Sequence, residues 1–311
     1  MIEKLTSNQY DQDVLNQPIQ PDQLDCPITI FTIPKAFEGH FGLIQRNAIR
    51  SWIELGLDVI VLGDDAGVAQ TAAELGARHL SGLVVNEHGT PLINDAFRLA
   101  GQQSTSPILA YCNADVILLK DFVDSVSRIK DSEIGSKFLM IGRRTNLNIE
   151  REIQFSNRDE IQRLKSELQS EGQLGPVVCK EYFVFNRDLF QDVPALAVGR
   201  GNWDNWMVAD AKSKGVAVID ATDSTTAIHQ EHDYSHTQDN RMACYVSGEE
   251  ARENQRLAGG RNLIKGSTAD WKLNAAGQVR ACRMRWMHLG FWRDLPRFSK
   301  LLINLFSSRK R

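Results

Sequence analysis

Four apolar runs of three to six residues punctuate the first third of the chain. They are Ile28-Thr29-Ile30-Phe31-Thr32-Ile33, Val59-Ile60-Val61-Leu62, a short one around Leu83-Val84-Val85, and Ile108-Leu109-Ala110-Tyr111. They lack the polar alternation of a half-exposed strand, so each is expected to be covered on both faces. Helical patterns separate them. One runs through Ile44, Ala48, Ile49 and Trp52 to a stop near Gly56. A second spans Val68 to Leu75 and halts at Gly76. A third spans Pro91 to Ala100, with Thr90 as cap and Pro91 in the first position. This alternation predicts a doubly wound, mostly parallel, Rossmann-like sheet with helices on both faces, an α/β class. In such sheets ligands gather outside the carboxyl ends of the strands. Polar clusters stand there: Thr32-Ile33-Pro34-Lys35, Gly63-Asp64-Asp65 and Asn113-Ala114-Asp115.

The remainder is more broken. Strands are expected at Lys137 to Gly142, Glu181 to Asn186, Val216 to Ile219 and Thr225 to Ile228. Helices are expected at Asp159 to Glu171 and Trp203 to Lys214, and a loop over 143–156. Residues 1–27 are polar and carry Pro18, Pro21 and Pro27, the mark of an N-terminal extension. A main domain is expected over 28–240, a polar C-terminal extension over 241–279, and a basic aromatic tail over 280–311. That tail holds nine Lys/Arg and one Asp in a chain of net charge −3, together with Trp286, Phe291, Trp292, Phe298 and Phe306. Such a segment suits peripheral contact with a membrane surface or folding back on the domain, and Pro296 interrupts any single long helix. Five cysteines without a CxxC pair argue against a zinc ribbon or a disulfide scaffold and favour a reducing, cytoplasmic setting, with the inner membrane face as its extension. No run of about 18 apolar residues is present. No nucleic-acid partner is expected.

Several motifs are missing. There is no GxGxxG after the first strand, no GxxxxGK[ST] and no Gly-x-Ser-x-Gly, which argues against dinucleotide dehydrogenases, P-loop kinases and α/β-hydrolases. Other residues carry chemistry. Asp115 ends a buried strand, where a carboxylate can hold a hard divalent cation against a diphosphate; Asn113, two residues earlier, can bond a ribose hydroxyl or a metal-bound water. Three of the seven histidines, His229, His232 and His236, follow an apolar strand, and imidazole with carboxylate suits Mn²⁺ and other transition ions better than Mg²⁺. Trp203, Asp204 and Asn205 follow Gly199 and Gly201. Indole faces stack on sugar rings, and Asp204 can take a proton from an attacking hydroxyl. Lys35, Arg46 and the pair Arg143-Arg144 are candidate phosphate cations. Asp64 and Asp65 are candidate acceptors from a base or ribose.

In this order the motifs resemble nucleotide-diphospho-sugar transferases, the glycosyltransferases of the GT-A fold, over about 28–260. The matching stretches are Ile30 to Lys35, Gln45 to Trp52, Gly89 to Leu92, Asn113 to Asp115, Tyr182 to Phe185, Trp203 to Trp206 and Ala227 to His236. The resemblance implies that Asn113-Ala114-Asp115 fills the Asp-x-Asp place of that fold. Asn113 stands for the first acid and sits towards the ribose, and Asp115 binds Mn²⁺ or Mg²⁺. It implies a histidine as further ligand, His229 or else His232. Asp204 matches the acid near the acceptor site and becomes the base if the transfer inverts the anomeric centre. Thr32, Pro34 and Asp64 would frame the nucleotide of a nucleotide-diphosphate sugar donor, and the acceptor would be a glycan or a lipid-linked hydroxyl. Two alternatives share the sheet: a sugar-phosphate nucleotidyltransferase, which ordinarily opens on a Gly-rich loop where this chain has Pro34-Lys35-Ala36-Phe37-Glu38, and a non-catalytic nucleotide-sugar-binding protein.

Overall fold

The computed structural model describes residues 26–232, 248–260 and 269–282. In chain order the elements are β1 (Ile28–Thr32), α1 (Gly39–Glu54), β2 (Asp58–Leu62), α2 (Val68–Leu75), β3 (Arg78–Leu80), α3 (Ile93–Gln103), β4 (Ile108–Cys112), β5 (Val116–Leu118), α4 (Lys120–Lys130), β6 (Phe138–Arg143), β7 (Thr145–Leu147), α5 (Arg158–Glu171), β8 (Gln173–Leu174), β9 (Lys180–Asn186), α6 (Trp203–Ser213), β10 (Ala217–Asp220), β11 (Ala227–Gln230), α7 (Glu249–Leu257), β12 (Trp271–Leu273) and β13 (Val279–Ala281).

Nine strands form the main sheet in the order β13-β12-β10-β6-β9-β4-β1-β2-β3. β3, β2, β1 and β4 run parallel, as do β6, β10 and β12, while β9 runs antiparallel between β4 and β6. The chain is thus a mixed α/β fold around a large, mostly parallel sheet. A second sheet, β5-β11-β7-β8, sits beside it.

Period-two side-chain direction divides each strand between two cores. Ile28, Ile30, Val59, Val61, Ile108, Ala110, Phe138, Met140 and Val184 face one core, against Trp52 of α1, Ala72 of α2 and Phe122 of α4. Phe31, Ile60, Leu62, Leu109, Tyr111, Leu139 and Phe185 face the other, against Phe97 of α3 and Met207 of α6. Both faces are therefore apolar, which is why the runs do not alternate in sequence. Each fully buried large side chain contributes about 1.5–3 kcal/mol of transfer free energy. A third cluster, with Ile117, Leu147, Leu164 and Ile228, holds the second sheet against α5.

Some expectations are corrected. The third strand is Arg78–Leu80; Leu83 is buried, but Val84 and Val85 are half exposed and lie outside it. Helix α3 starts at Ile93, and Thr90 accepts into a turn with Asn86 instead of capping it. The 143–156 stretch contains a strand, β7. The sheet also continues past residue 240, because β12 pairs with β10 in parallel and β13 with β12 in antiparallel fashion. Residues 1–25, His236 and most of the basic tail lie outside the described residues. Among the described residues no helix is long and apolar enough to cross a membrane.

Candidate functional site

The parallel strands β1, β2 and β4 deliver Lys35, Asp64 and Asp115 to one edge of the main sheet. Antiparallel β9 delivers its first residues, Lys180 and Glu181, to the same edge, because reversed direction puts its start where its neighbours end.

Asp115 is held by backbone. β5 follows it directly, and β11 pairs with β5 so that His229 stands opposite Val116. The Gln230 N–H then donates to the Asp115 carbonyl at 3.1 Å. Buried side chains lock this junction. Gln230 Nε2 donates to Ile44 O at 2.7 Å and to Asp115 O at 3.2 Å, while its Oε1 accepts from Asn47 Nδ2 at 3.0 Å. Asn47 also donates to Arg151 O and accepts from Ile153 N. From α1, Trp52 Nε1 donates to Val116 O at 3.1 Å, and Ser51 Oγ accepts from Leu118 N. The Gln45 to Trp52 stretch is thus the clamp on which the carboxylate rests. Gln45 additionally brackets the Lys35 backbone, accepting from its N–H at 2.7 Å and donating to its carbonyl at 3.0 Å.

On this frame, His229 Nε2 lies 3.5 Å and His232 Nε2 3.3 Å from Asp115 Oδ2. All three donor atoms lie within 4.8 Å of one another, close enough to converge on one ion. Asp115 Oδ1 and His229 Nδ1 are buried without a hydrogen-bond partner among the described residues. Burial pushes the Asp115 carboxyl up, but His229 and His232 beside it outweigh burial and hold it well below the usual carboxylate range. An ionised carboxylate, two imidazoles and an orphaned buried oxygen fit a divalent cation, with Mn²⁺ better matched than Mg²⁺. Both candidate histidines reach the acid.

Cationic groups face the cluster. Lys35 Nζ sits 4.5 Å from the centre of the Phe41 ring, and Phe41 in turn packs on His232 with ring centres 4.9 Å apart. Burial lowers the Lys35 pKa, Asp115 opposes that shift, and Arg200 reinforces it, so all three lie within electrostatic reach. Arg200 is steadied by Glu250 of α7 (Nε to Oε2, 2.6 Å), and Glu250 also accepts from Asn86. Asn254 of α7 bonds both polar groups of the Ala197 backbone and reaches the Gly201 carbonyl. Helix α7 therefore braces the 197–201 loop, a role invisible in its polar sequence.

On the β9 side, Glu181 has a side chain only 5% exposed, accepting from Arg144 at 2.7 Å and from Asn113 Nδ2 at 2.5 Å. Burial pushes its carboxyl up, Arg144 opposes this, and Asp115 and His229 are both within reach. The Lys180 side chain, 4% exposed, donates to Asn205 Oδ1 at 3.0 Å and lies 3.7 Å from Asp204 Oδ2. Burial raises the Asp204 pKa, and Lys180 opposes it. Arg144, Glu181, Asp204 and Lys180 all act electrostatically on the Cys179 thiol.

The other expected residues are placed as follows. Thr32 is buried with Oγ1 unpartnered, and Pro34 is buried beside it. Asp64 is exposed and accepts from Gly82 N at 2.8 Å. Arg46 bonds Glu74 and Thr71 of α2, so it ties two helices together. Trp203 departs from expectation. It is 7% exposed, with its ring against Tyr111 and Phe183 at 5.3 and 5.2 Å, so it is buried in the core and offers no open sugar platform. Lys180, Glu181 and Glu250 were not foreseen. The charged pair opening an apolar strand was the signal for the first two, but it points at the site only once β9 is known to run backwards.

No family model matches the chain, and no curated protein matches it either. Among solved structures, glucosyl-3-phosphoglycerate synthase from Mycobacterium tuberculosis with phosphoglyceric acid is 15% identical over 76% of this chain and 82% of that chain, with a TM-score of 0.43. The same enzyme with Mn²⁺, uridine-diphosphate-glucose and phosphoglyceric acid is 15% identical over 77% and 83%, with a TM-score of 0.44. With Mg²⁺ and uridine-diphosphate the figures are 14%, 80%, 85% and 0.42. Likeness of this order leaves the chemistry to the chain's own residues.

Proposed function

We propose that this protein is a glycosyltransferase that moves a sugar from a nucleotide-diphosphate sugar to a hydroxyl acceptor, a glycan or a lipid-linked alcohol. One observation carries the reading: at a single strand-end edge, Asp115 meets His229 and His232, and Lys35 stands within electrostatic reach of both Asp115 and Arg200. A diphosphate is the ligand that needs both the cluster and the cations.

Asp115, His229 and His232 would hold a divalent cation, which when bound neutralises charge on the leaving diphosphate. Lys35 and Arg200 add fixed positive charge around the same group and are positioned in advance, Lys35 by Gln45 and Arg200 by Glu250. Asn113 accepts from the ribose side, and Thr32, Pro34 and Asp64 line the nucleotide side. Asp204 and Asn205 stand at the acceptor side. In an inverting transfer the acceptor oxygen bonds to the anomeric carbon as the bond from that carbon to the phosphate oxygen breaks. Asp204 takes the hydroxyl proton, and the nucleoside diphosphate leaves with the electron pair. A raised pKa suits a carboxylate for that work, since a stronger base accepts the proton more readily.

The test is Mn²⁺-dependent release of nucleoside diphosphate from a panel of UDP- and GDP-sugars, with pyrophosphate followed in parallel. Diphosphate release that rises with an added acceptor supports the reading. Pyrophosphate release from a sugar phosphate and a nucleoside triphosphate replaces it with a nucleotidyltransferase, and binding without turnover replaces it with a binding protein. The pH profile is a second check. Activity needs Asp204 ionised, so it falls as pH drops through a pKa above the ordinary aspartate value. The acid limb of kcat/KM is expected above the ordinary aspartate range, and Asp204→Asn is expected to remove that limb along with most activity.

A further inference from the structure

Asn113 stands two residues before Asp115, where an acid would add a second negative charge. The structure shows what stands behind it. The Asn113 backbone N–H extends the β4–β9 ladder by donating to Glu181 O at 3.1 Å. Its side-chain Nδ2 donates to Glu181 Oε2 at 2.5 Å. The other carboxylate oxygen, Oε1, accepts from Arg144 at 2.7 Å. Both oxygens of Glu181 are therefore engaged by donors; burial raises its pKa, and the Arg144 guanidinium opposes that shift. An ionised carboxylate only accepts, so the NH₂ of Asn113 must face it. The amide oxygen is left on the opposite branch, turned away from Glu181.

We propose that Glu181 is a positioning residue that fixes the Asn113 amide with its oxygen towards the ligand side of the Asp115 cluster, so that a neutral asparagine works there as a dedicated acceptor for a ribose hydroxyl or a metal-bound water. The nature of that ligand rests on the glycosyltransferase reading. The geometry of the pair does not. Arg144 offsets the charge of Glu181, so the pair adds orientation without a second uncompensated acid beside Asp115. Asn113 and Glu181 are 68 residues apart in sequence and meet only because β9 is antiparallel.

The arrangement makes a reciprocal prediction. Glu181→Gln keeps the shape, but Arg144 claims the single oxygen of the new amide. The new NH₂ then faces Asn113, which must flip to present its oxygen inward and its NH₂ to the ligand. Asn113→Asp alone sets two carboxylates in contact. Together the changes are compatible: the new glutamine donates to the new aspartate, which still shows an oxygen to the ligand.

The experiment uses the full chain and its three variants. Thermal unfolding without metal reads the pair, side-chain amide NMR of ¹⁵N-labelled protein reads the orientation, and calorimetry with UDP and GDP plus Mn²⁺ reads the site. Glu181→Gln is expected to fold, to lose the carboxylate-shifted Asn113 NH₂ signal, and to weaken nucleoside diphosphate binding by about tenfold. Asn113→Asp is expected to lower Tm by several degrees. The double variant is expected to recover both Tm and affinity. The proposal is overturned if Glu181→Gln keeps the amide signal and the affinity of the unmodified chain, or if the double variant is no better than the worse single. If the unmodified chain binds neither UDP nor GDP, the glycosyltransferase reading fails, and the unfolding and NMR cycle still decides the role of Glu181.

Discussion

Two groups of three His and carboxylate side chains occur among the described residues, one with a single acid and two histidines, the other with two acids and one histidine, and their settings differ more than their ligands do. Asp115, His229 and His232 sit at a junction of two strands, largely shielded from water. Glu87, His88 and Glu249 lie on a turn and at the start of α7, all exposed, with His88 Nε2 3.8 and 3.9 Å from the two acids. In the first, the Asp115 and Gln230 backbones are joined, and Gln230 and Asn47 hold them from behind. In the second, the side chains stand in solvent. Ligand type alone does not make a site. Preorganisation does, since an exposed trio must give up side-chain freedom and water to grip an ion.

That contrast can be broken by substitution. The largest effect is expected for Asp115→Ala: Mn²⁺ affinity falls by more than about 100-fold, beyond what loss of a supporting residue costs. Isothermal titration with Mn²⁺ measures it, and retained affinity would mean that the ion binds elsewhere. Next comes Asn47→Ala, which touches neither acid nor imidazole. It strands the Ile153 N–H and the Arg151 carbonyl and takes a donor from Gln230. A stability loss of about 2–3 kcal/mol in urea unfolding is expected, with Mn²⁺ affinity down about tenfold or more. Full stability loss with unchanged affinity would show that the network supports the fold and not the cluster. The smallest effect is expected for His88→Ala and for Glu249→Gln, with Mn²⁺ affinity and Tm both close to those of the unmodified chain. A clear drop in metal stoichiometry for either variant would erase the distinction between the two groups.

The two groups also show what a sequence reveals. Asp115 was legible because a lone acid interrupts two apolar runs, and the histidines because they crowd after another. Their meeting follows from strand pairing that apolar patterning already implies. Strand direction is not written in such patterning, so Lys180 and Glu181 stayed hidden at the head of β9. Composition also misleads about facing. Trp203 carries the indole expected of a sugar platform, yet Tyr111 and Phe183 enclose it, because α6 needs a large anchor on that side of the sheet. The edge strands were the hardest to read. β3 opens on Arg78 and His79, and β12 and β13 are short and half exposed, so none produces an apolar run. Helix α7 is almost wholly polar because its task is to hydrogen-bond a loop through Glu250 and Asn254.

One pairing has a temporal consequence. Asp115 and His232 are separated by 117 positions, and β11 must dock on β5 before they meet. During synthesis the parallel half of the sheet can assemble long before the ribosome has made the histidines. A nascent chain halted ahead of Ala227 would carry the acid but not its imidazole companions, so the cation cluster can close only once β11 has been made, while α7, β12 and β13 are still to come.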